Sequence, residues 1–348
     1  MSKHQKYIRR CIELAQNALG NTYPNPMVGS VVVYNDTIIG EGWHKKAGEA
    51  HAEVNAIASV KDKSLLKKAT LYVSLEPCSH FGKTPPCADL IVAHKIPKVV
   101  IGCMDPNEVV AGRGVKKLLE AGCKVKIGIL EEACINLNKR FFTFHQKKRP
   151  YIILKWAETQ DGFIAPQEQE TGKPFWITGE ASKQLVHKWR SEEQAILAGT
   201  NTVLKDNPRL TTRLWQGNNP VRVVIDRHLK IKHGAAVFDG TSKTIVITSQ
   251  EHQNLPNLPN VKFEMVNFDK SLPEKICEVL YKHKIQSVII EGGAITLNAF
   301  MEAHLWDEAR VFTGKENLQK GIKAPSLKME PSEKTQVGKD TLKIYFHD

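Results

Sequence analysis

The sequence predicts an α/β protein made of two successive domains, and three observations carry this. Short apolar runs rich in valine and isoleucine, such as Val31-Val32-Val33-Tyr34 and Val99-Val100-Ile101, alternate with stretches of helical periodicity, the pattern of layered α/β folds. The alternation stops at the basic run Lys147-Lys148-Arg149-Pro150 and restarts with the apolar run Tyr151-Ile152-Ile153-Leu154. The 348 residues suffice for two domains, each with its own core. The boundary is therefore drawn between residues 146 and 147, giving domains 1–146 and 147–348.

Residues 5–19 read as a helix with Ile8, Cys11, Ile12, Ala15 and Leu19 along one side. The prolines of Asn21-Thr22-Tyr23-Pro24-Asn25-Pro26 then make a turn. Residues 28–34 and 37–43 are strands joined at Asn35-Asp36, a hairpin turn. A helix opens at His51, with Val54, Ala56, Ile57 and Ala58 as its buried side. The strand 69–75 delivers Cys78, and a helix begins at Cys87. A strand at 98–103, a helix at 115–121, a short strand at 124–129 and a polar-faced helix over 131–146 complete the first half. In the second half, strands are expected at 151–157, 195–199, 221–226, 244–248 and 287–291, and helices at 180–190 and 296–302.

Composition excludes some classes. Apolar residues at 41% and charged residues at 25% are ordinary for a globular chain. No apolar run is long enough to span a membrane, and the first ten residues lack the apolar core of a signal peptide. The expected location is the cytoplasm, with no membrane partner. Seven cysteines, an odd number, fit reduced thiols. Of these, Cys11, Cys103, Cys123, Cys134 and Cys277 sit among apolar or mixed residues and read as packing thiols. The formal charge of +12 implies anionic partners: nucleic acid, a phosphorylated metabolite or a phosphate-rich cofactor.

Two short stretches carry the strongest chemistry. His51-Ala52-Glu53, with Pro77-Cys78 and Pro86-Cys87, supplies one imidazole, two thiols and a carboxylate. Three such ligands with the fourth position left to water suit a catalytic zinc site. His51, Cys78 and Cys87 are its expected ligands. Glu53 would carry protons between the water and a leaving amine, the division of labour of zinc deaminases. Residues two apart point to different sides of a helix, so His51 is expected at the helix start and Glu53 in its first turn. A closed structural zinc site would need a fourth ligand, which His80 could supply, but it would leave Glu53 without a role. In the second half, Glu291-Gly292-Gly293-Ala294 between a strand and a helix suits a pyrophosphate cradle. It is not the GxGxxG fingerprint of a dinucleotide-binding βαβ unit.

Eight residues separate the two proposed cysteine ligands. The whole run Pro77-Cys78-Ser79-His80-Phe81-Gly82-Lys83-Thr84-Pro85-Pro86-Cys87 resembles the bifunctional deaminase-reductases of riboflavin biosynthesis, and the resemblance extends over nearly the whole chain. It implies an N-terminal three-layer domain like cytidine deaminase and a C-terminal domain like dihydrofolate reductase. It also implies zinc and NADPH as cofactors and phosphorylated ribosylaminopyrimidines as substrates. The activities would be deamination of the 2-amino group of the ribosylaminopyrimidinone phosphate, then reduction of the ribose to ribityl.

Carried onto matching positions, the resemblance makes Asn25, His44, His80, Lys83, Asp105 and Asn107 substrate contacts of the deaminase. It makes Lys155, Trp176, Thr202, Asp206, Arg227, Gly293, Ala294, Ile295 and Thr296 cofactor contacts. Arg190, Leu210, Arg213 and Glu291 become contacts of the ribose-phosphate substrate, a chemically sensible use of arginine. The match is good over residues 199–211 and departs elsewhere. Thr159-Gln160-Asp161-Gly162 replaces Ser-Leu-Asp-Gly, Pro174 replaces a serine, Arg227 replaces a small polar residue, and the Pro-Lys-Leu-x-Gly pattern is absent near Thr313.

Two rival readings share part of this pattern. A tRNA deaminase shares the zinc core and would account for the charge, but it predicts a short Cys-x-x-Cys and no reductase half. A non-catalytic RNA-binding protein with structural zinc is the other. No nucleic-acid partner is expected, and the sequence leaves the oligomeric state open, a homo-oligomer included.

Overall fold

A computed structural model describes residues 2–79, 85–107, 111–168, 175–250 and 258–347. The chain divides into two units, Met1–Lys148 and Arg149–Asp348.

In the first unit the order is α1 (Lys3–Gln16), β1 (Gly29–Tyr34), β2 (Thr37–Trp43), α2 (Ala52–Ser59), β3 (Thr70–Leu75), α3 (Cys87–Ala93), β4 (Lys98–Cys103), α4 (Arg113–Glu120), β5 (Lys124–Lys126), α5 (Glu131–Leu137) and α6 (Lys139–Lys147). The strands form one sheet in the order β2-β1-β3-β4-β5. β1 runs antiparallel to β2 and β3, while β3, β4 and β5 are parallel. Successive side chains of a strand point to opposite faces. Val31 and Val33 accordingly pack with Tyr7, Ile8, Cys11 and Leu14 of α1, and Val32 packs with Ala56, Ile57, Ile91 and Leu118 of α2, α3 and α4. Three layers result. Ser2 caps α1, accepting from the Gln5 amide while the Gln5 side chain accepts from the Ser2 amide.

Several details differ from the sequence reading: α1 ends at Gln16 and β5 at Lys126, short of the expected 19 and 129. The expected helix over 131–146 breaks at Asn138, between α5 and α6. Asn138 leaves helical geometry because its buried side chain is committed elsewhere: Oδ1 accepts from the Met27 amide and Nδ2 donates to the Met27 carbonyl, both at 2.8 Å. The buried side of α2 is Ala52, Glu53, Ala56 and Ile57, with Val54 half-buried and Ala58 exposed. The helix starts one residue after His51, which turns Glu53 inward.

The second unit runs β6 (Tyr151–Glu158), β7 (Phe163–Ala165), α7 (Glu180–Glu192), β8 (Ala195–Gly199), α8 (Thr200–Asp206), β9 (Val221–Ile225), β10 (Thr244–Thr248), β11 (Val261–Met265), α9 (Leu272–Lys282), β12 (Ser287–Ile290), α10 (Ala294–Glu302), β13 (Glu308–Thr313), β14 (Ile322–Lys323), β15 (Glu333–Val337) and β16 (Asp340–Phe346). Its main sheet has the order β11-β10-β9-β8-β12-β6-β13-β16-β15. The strands from β11 to β13 are parallel, and β16 and β15 add on antiparallel. α9 and α10 cover one face through Ile276, Leu280, Leu297 and Phe300. α7 covers the other through Val186 and Trp189, and Val203 of α8 joins a cluster beside it. β12 lies between β8 and β6, where the strand order changes direction. Ligands of open α/β sheets bind beyond the carboxyl ends of strands at such a point.

Among the described residues no helix is long and apolar enough to cross a membrane. All seven cysteines are free, and the five without a proposed ligand role are buried.

Candidate active sites

The first site lies at the carboxyl ends of β3 and β4. His51 is the N-cap of α2, where its extended backbone turns the side chain away from the helix axis. Beyond the end of β3, Glu76-Pro77 leads to Cys78, and Pro86 is the N-cap of α3, which makes Cys87 its first residue. His51 Nδ1 lies 3.5 Å from Cys78 Sγ and 3.4 Å from Cys87 Sγ. The three ligand atoms lie within 4.8 Å of one another, and among the described residues they are the group able to hold a metal. Zinc with bonds of about 2.1 Å to nitrogen and about 2.3 Å to sulfur at tetrahedral angles would separate those atoms by about 3.6 Å. The residues fit that metal in both chemistry and spacing.

The two thiols share a proton: hydrogen bonding with Cys87 and with His51 pulls the Cys78 thiol well below the ordinary range, while the same bond and burial push the Cys87 thiol up. The Cys87 amide also donates to Cys78 Sγ at 3.3 Å. His51 is raised, chiefly by Cys78. Glu53 sits in the first turn of α2, only 3% exposed, and burial pushes its carboxyl up to about 7.

Asn25 and His44 come together. Asn25 Nδ2 lies 3.1 Å from His44 Nε2, and His44 Nδ1 lies 3.1 Å from the Ala50 carbonyl. The carbonyl can only accept, so Nδ1 carries the proton and Nε2 accepts from the Asn25 amide. Burial lowers the proton affinity of His44, keeping this neutral form. The His44 ring meets that of His51 edge-on at 5.3 Å between centroids. Asn55, which the sequence did not flag, donates to the Trp43 and Ala50 carbonyls and so ties the end of β2 to the approach to His51. Asp105 and Asn107 lie on the loop after β4, where Asp105 Oδ1 accepts from the Asn107 amide at 2.8 Å. His80 and Lys83 lie outside the described residues.

Glu76 is a second residue the sequence reading missed. Its buried carboxylate accepts from the amides of Gly114 at 2.9 Å, Gly112 at 3.0 Å, Val115 at 3.2 Å and Asp105 at 3.4 Å. An anion at a helix N-terminus is favoured by the helix dipole. Here it joins the residue before Pro77-Cys78 to α4 and to the Asp105 loop. Gly114 is required at that contact, because a Cβ would collide with the Pro77 carbonyl.

The second site lies at the carboxyl ends of β6, β8 and β12. Arg190 of α7 grips Glu291 with two parallel hydrogen bonds, Nε at 3.1 Å and Nη2 at 2.7 Å. Lys155 Nζ of β6 lies 3.9 Å from the same carboxylate. Burial would raise the Glu291 carboxyl, but the charges of Arg190 and Lys155 outweigh it and hold it down to about 2. Burial lowers the Lys155 ammonium. Thus Arg190, expected to meet phosphate, is engaged by Glu291. It also reaches the Thr211 carbonyl at 3.3 Å, while Arg213 Nη1 lies 3.2 Å from Thr211 Oγ1. Leu210 has its side chain inside the core, and its φ of +53° turns the chain sharply.

Thr202 Oγ1 accepts from the Gly293 amide at 3.0 Å, joining α8 to the turn before α10. Gly293 is the N-cap of α10, which brings Ala294, Ile295 and Thr296 into its first turn, with Ile295 78% exposed. At Gly199 a Cβ would come within 2.8 Å of Thr296 Oγ1, so the glycine permits β8 to approach that turn. A glycine-lined helix start of this kind suits the phosphates of a dinucleotide. Asp206 ends α8. Trp176 is exposed, with Lys183 Nζ 4.1 Å above its ring, and Arg227 is exposed just beyond β9, stacked against Phe268 at 5.7 Å.

The departures from the family pattern have partial accounts. Thr159 supplies a hydroxyl that donates to Asp161 at 2.6 Å, and Asp161 in turn accepts from the amides of Leu318 and Gln319. Thr313 ends β13 with its hydroxyl 3.2 Å from Glu158. Pro174 lies outside the described residues. His187, not flagged by the sequence, is buried on α7 with Nδ1 accepting from the Arg213 amide at 3.0 Å. Burial, then Arg190 and Arg213, push its imidazole down to about 4.

Comparison with known proteins matches both units. Residues 1–103 match the cytidine and deoxycytidylate deaminase zinc-binding region, and residues 150–340 match the RibD C-terminal domain. The riboflavin biosynthesis protein RibD of Aquifex aeolicus is 38% identical, over 98% of each chain. That of Bacillus amyloliquefaciens is 42% identical over 92% of this chain and 86% of its own. A crystal structure of a diaminohydroxyphosphoribosylaminopyrimidine deaminase/5-amino-6-(5-phosphoribosylamino)uracil reductase from Thermotoga maritima is similar with a TM-score of 0.88 at 38% identity, covering 98% of both chains. Acinetobacter baumannii RibD gives 0.88 at 32% identity, covering 99% of this chain and 98% of that one.

Proposed function

The chain belongs to the family of riboflavin biosynthesis protein RibD, and from that premise we propose how its residues divide the work of a deaminase and a reductase. It is a bifunctional enzyme of riboflavin biosynthesis, with a zinc-binding deaminase part and an NADPH-dependent reductase part, acting on phosphoribosyl pyrimidines. The reading assigns deamination of 2,5-diamino-6-ribosylamino-4(3H)-pyrimidinone 5′-phosphate to residues 1–146. It assigns reduction of the ribose of 5-amino-6-(5-phosphoribosylamino)uracil to ribityl to residues 147–348.

The observation that carries the deaminase assignment is a three-ligand set, His51, Cys78 and Cys87, beside a buried carboxylate outside that set. Zinc, when bound, makes a water available as nucleophile at neutral pH. Glu53 takes a proton from the attacking water and returns it to the leaving amine, the work of a general acid–base group. Asn25, oriented by His44, and the Asp105–Asn107 loop, braced by Glu76, hold the pyrimidine. His80 and Lys83, between the two cysteines in sequence, bring positive charge for the substrate phosphate.

In the second unit NADPH, when bound, supplies the reducing equivalent. Lys155, Thr202 and the Gly293–Thr296 turn line its position, with Trp176, Asp206 and Arg227 at the periphery. Glu291, with Arg190 and Arg213, receives the ribose phosphate. The tRNA-deaminase and RNA-binding rivals are not favoured, because the second half matches a reductase domain. We place the protein in the cytoplasm, which its seven free cysteines support.

The test is to incubate purified protein with the diaminopyrimidine phosphate, with and without NADPH, and follow products by mass. Exchange of one amino group for oxygen is expected without NADPH, and addition of two hydrogens only with it. No deamination by zinc-loaded protein would refute the reading.

A further inference from the structure

α7 presents two side chains to the segment that carries Arg213. His187 and Arg190 are three residues apart, hence neighbours on one side of the helix. Arg190 holds the Thr211 carbonyl at 3.3 Å, and His187 Nδ1 accepts the Arg213 amide at 3.0 Å. The Arg213 guanidinium folds back on the Thr211 hydroxyl at 3.2 Å. Just upstream, Leu210 adopts a left-handed backbone with φ +53°, a conformation a side chain other than glycine or asparagine holds only under constraint. The segment is therefore a sharp turn whose far side is fixed by hydrogen bonds from α7.

A backbone amide can only donate, so Nδ1 of His187 bears no proton and the ring hydrogen sits on Nε2. The imidazole is 6% exposed and lies near Arg190, Arg213 and Glu291. An apolar side chain would fill the same volume but would leave the Arg213 amide without its acceptor.

We propose that His187 is a positioning residue of the reductase site, whose Nδ1 fixes the backbone of Arg213 and thereby aims the Arg213 guanidinium at the phosphate of the ribose substrate. This rests on the reading above that Arg213 receives that phosphate. His187 touches no reacting atom; it acts through Arg213.

The test uses the full-length, zinc-loaded enzyme, with 5-amino-6-(5-phosphoribosylamino)uracil and NADPH, and compares three variants. In His187→Asn the amide oxygen falls where Nδ1 was. In His187→Gln it falls at the place of Nε2, one bond too far. His187→Leu offers no acceptor. Losing one hydrogen bond that holds a charged contact is expected to raise KM for the phosphorylated substrate by about tenfold in the Leu and Gln variants. kcat should change less than KM, and KM for NADPH should stay as in the wild type. The Asn variant should restore KM to within about threefold. Inorganic phosphate, added as a competing anion, should inhibit the wild type and the Asn variant more strongly than the Gln variant. Should the Leu variant not fold, the Asn–Gln comparison decides alone. Equal KM values in the Asn and Gln variants, or a rise in KM for NADPH as large as that for substrate, would overturn the proposal and leave His187 as packing. Wild-type protein that does not consume the substrate would overturn the underlying reading together with this one, and that result is visible before any variant is made.

Discussion

Replacing Glu291 with glutamine probes how the second site holds its charges. The carboxylate lies between two cations: Arg190 bonds both oxygens at 3.1 and 2.7 Å, and Lys155 Nζ is 3.9 Å away. The three side chains are between 12% and 16% exposed, so solvent screens them little. Burial raises the carboxyl's proton affinity, but Arg190 and Lys155 prevail and hold it at about 2, against an ordinary 4.5. This displacement corresponds to about 3 kcal/mol in favour of the charged form. Lys155 offsets part of the gain, because its own ammonium is lowered by burial despite the carboxylate. Severing a buried pair on one side costs about 3–5 kcal/mol, so the lower end applies. Glu291→Gln should therefore destabilise the second unit by about 3 kcal/mol at neutral pH, which for a domain of about 200 residues lowers its midpoint by roughly 6–12 °C.

The pH dependence has a definite sign. The folded-state pKa lies below the unfolded one, so the carboxylate's contribution is fully present above about 4.5 and is lost as the pH falls toward about 2. Thermal unfolding of wild type and Glu291→Gln, followed by near-UV circular dichroism at neutral pH and again between those two values, measures both quantities. The gap between the two proteins should narrow in acid. A gap that stays constant across that window, or one below about 1 kcal/mol at neutral pH, would show that the trio is no stronger than an exposed ion pair.

Other expectations follow from the same geometry. Cys87→Ser should lose zinc, measured by elemental analysis, whereas Glu53→Gln should keep it while deamination falls by about 10²–10⁴-fold and reduction of already deaminated substrate continues. Arg227→Ala should raise KM for NADPH by about tenfold or more and leave that for NADH near the wild-type value, if its charge meets the 2′-phosphate; equal changes would make Arg227 a surface charge. Asn138→Ala should leave both polar groups of Met27 without their partner, destabilising the first unit by about 2–3 kcal/mol and raising KM for the deaminase substrate through the Asn25 loop, to be read by unfolding and by steady-state kinetics on the same sample.

The zinc-ligand candidates were legible because their signal is local. His51 and Glu53 are two residues apart, and a helix that begins between them turns the two side chains to different sides, Glu53 into the core. Apart from β11 and β13, which the sequence reading did not name, most parallel strands announced themselves through unbroken apolar runs such as Ile152-Ile153-Leu154, since a parallel strand is buried on both faces. β15 did not: Glu333-Lys334-Thr335-Gln336-Val337 is polar and largely exposed at the sheet edge, and only pairing with β16 makes it a strand. Glu76, Asn138 and His187 were silent for another reason. Their partners are backbone groups, which carry no residue identity, and they lie 29 to 39 residues away for Glu76, 111 for Asn138 and 26 for His187.

Those three residues share a logic that bears on both sites. Each fixes a segment carrying a proposed ligand contact: Glu76 the loop after β4, Asn138 the turn that bears Asn25, and His187 the turn that bears Arg213. Such segments leave the sheet and cannot be fixed by apolar packing alone, because their backbone amides and carbonyls require partners. A buried acceptor from a neighbouring element satisfies the amide and sets the position in one contact. The magnitudes then separate function from folding. Losing one such bond costs about 1–3 kcal/mol, against a domain stability of about 5–15 kcal/mol, so the chain stays folded. A binding group displaced by about 1 Å can nevertheless lower turnover by about 10²-fold. Substitutions that keep volume but remove the acceptor at Glu76, Asn138 or His187 should therefore yield folded protein with impaired activity, each confined to the reaction of its own unit.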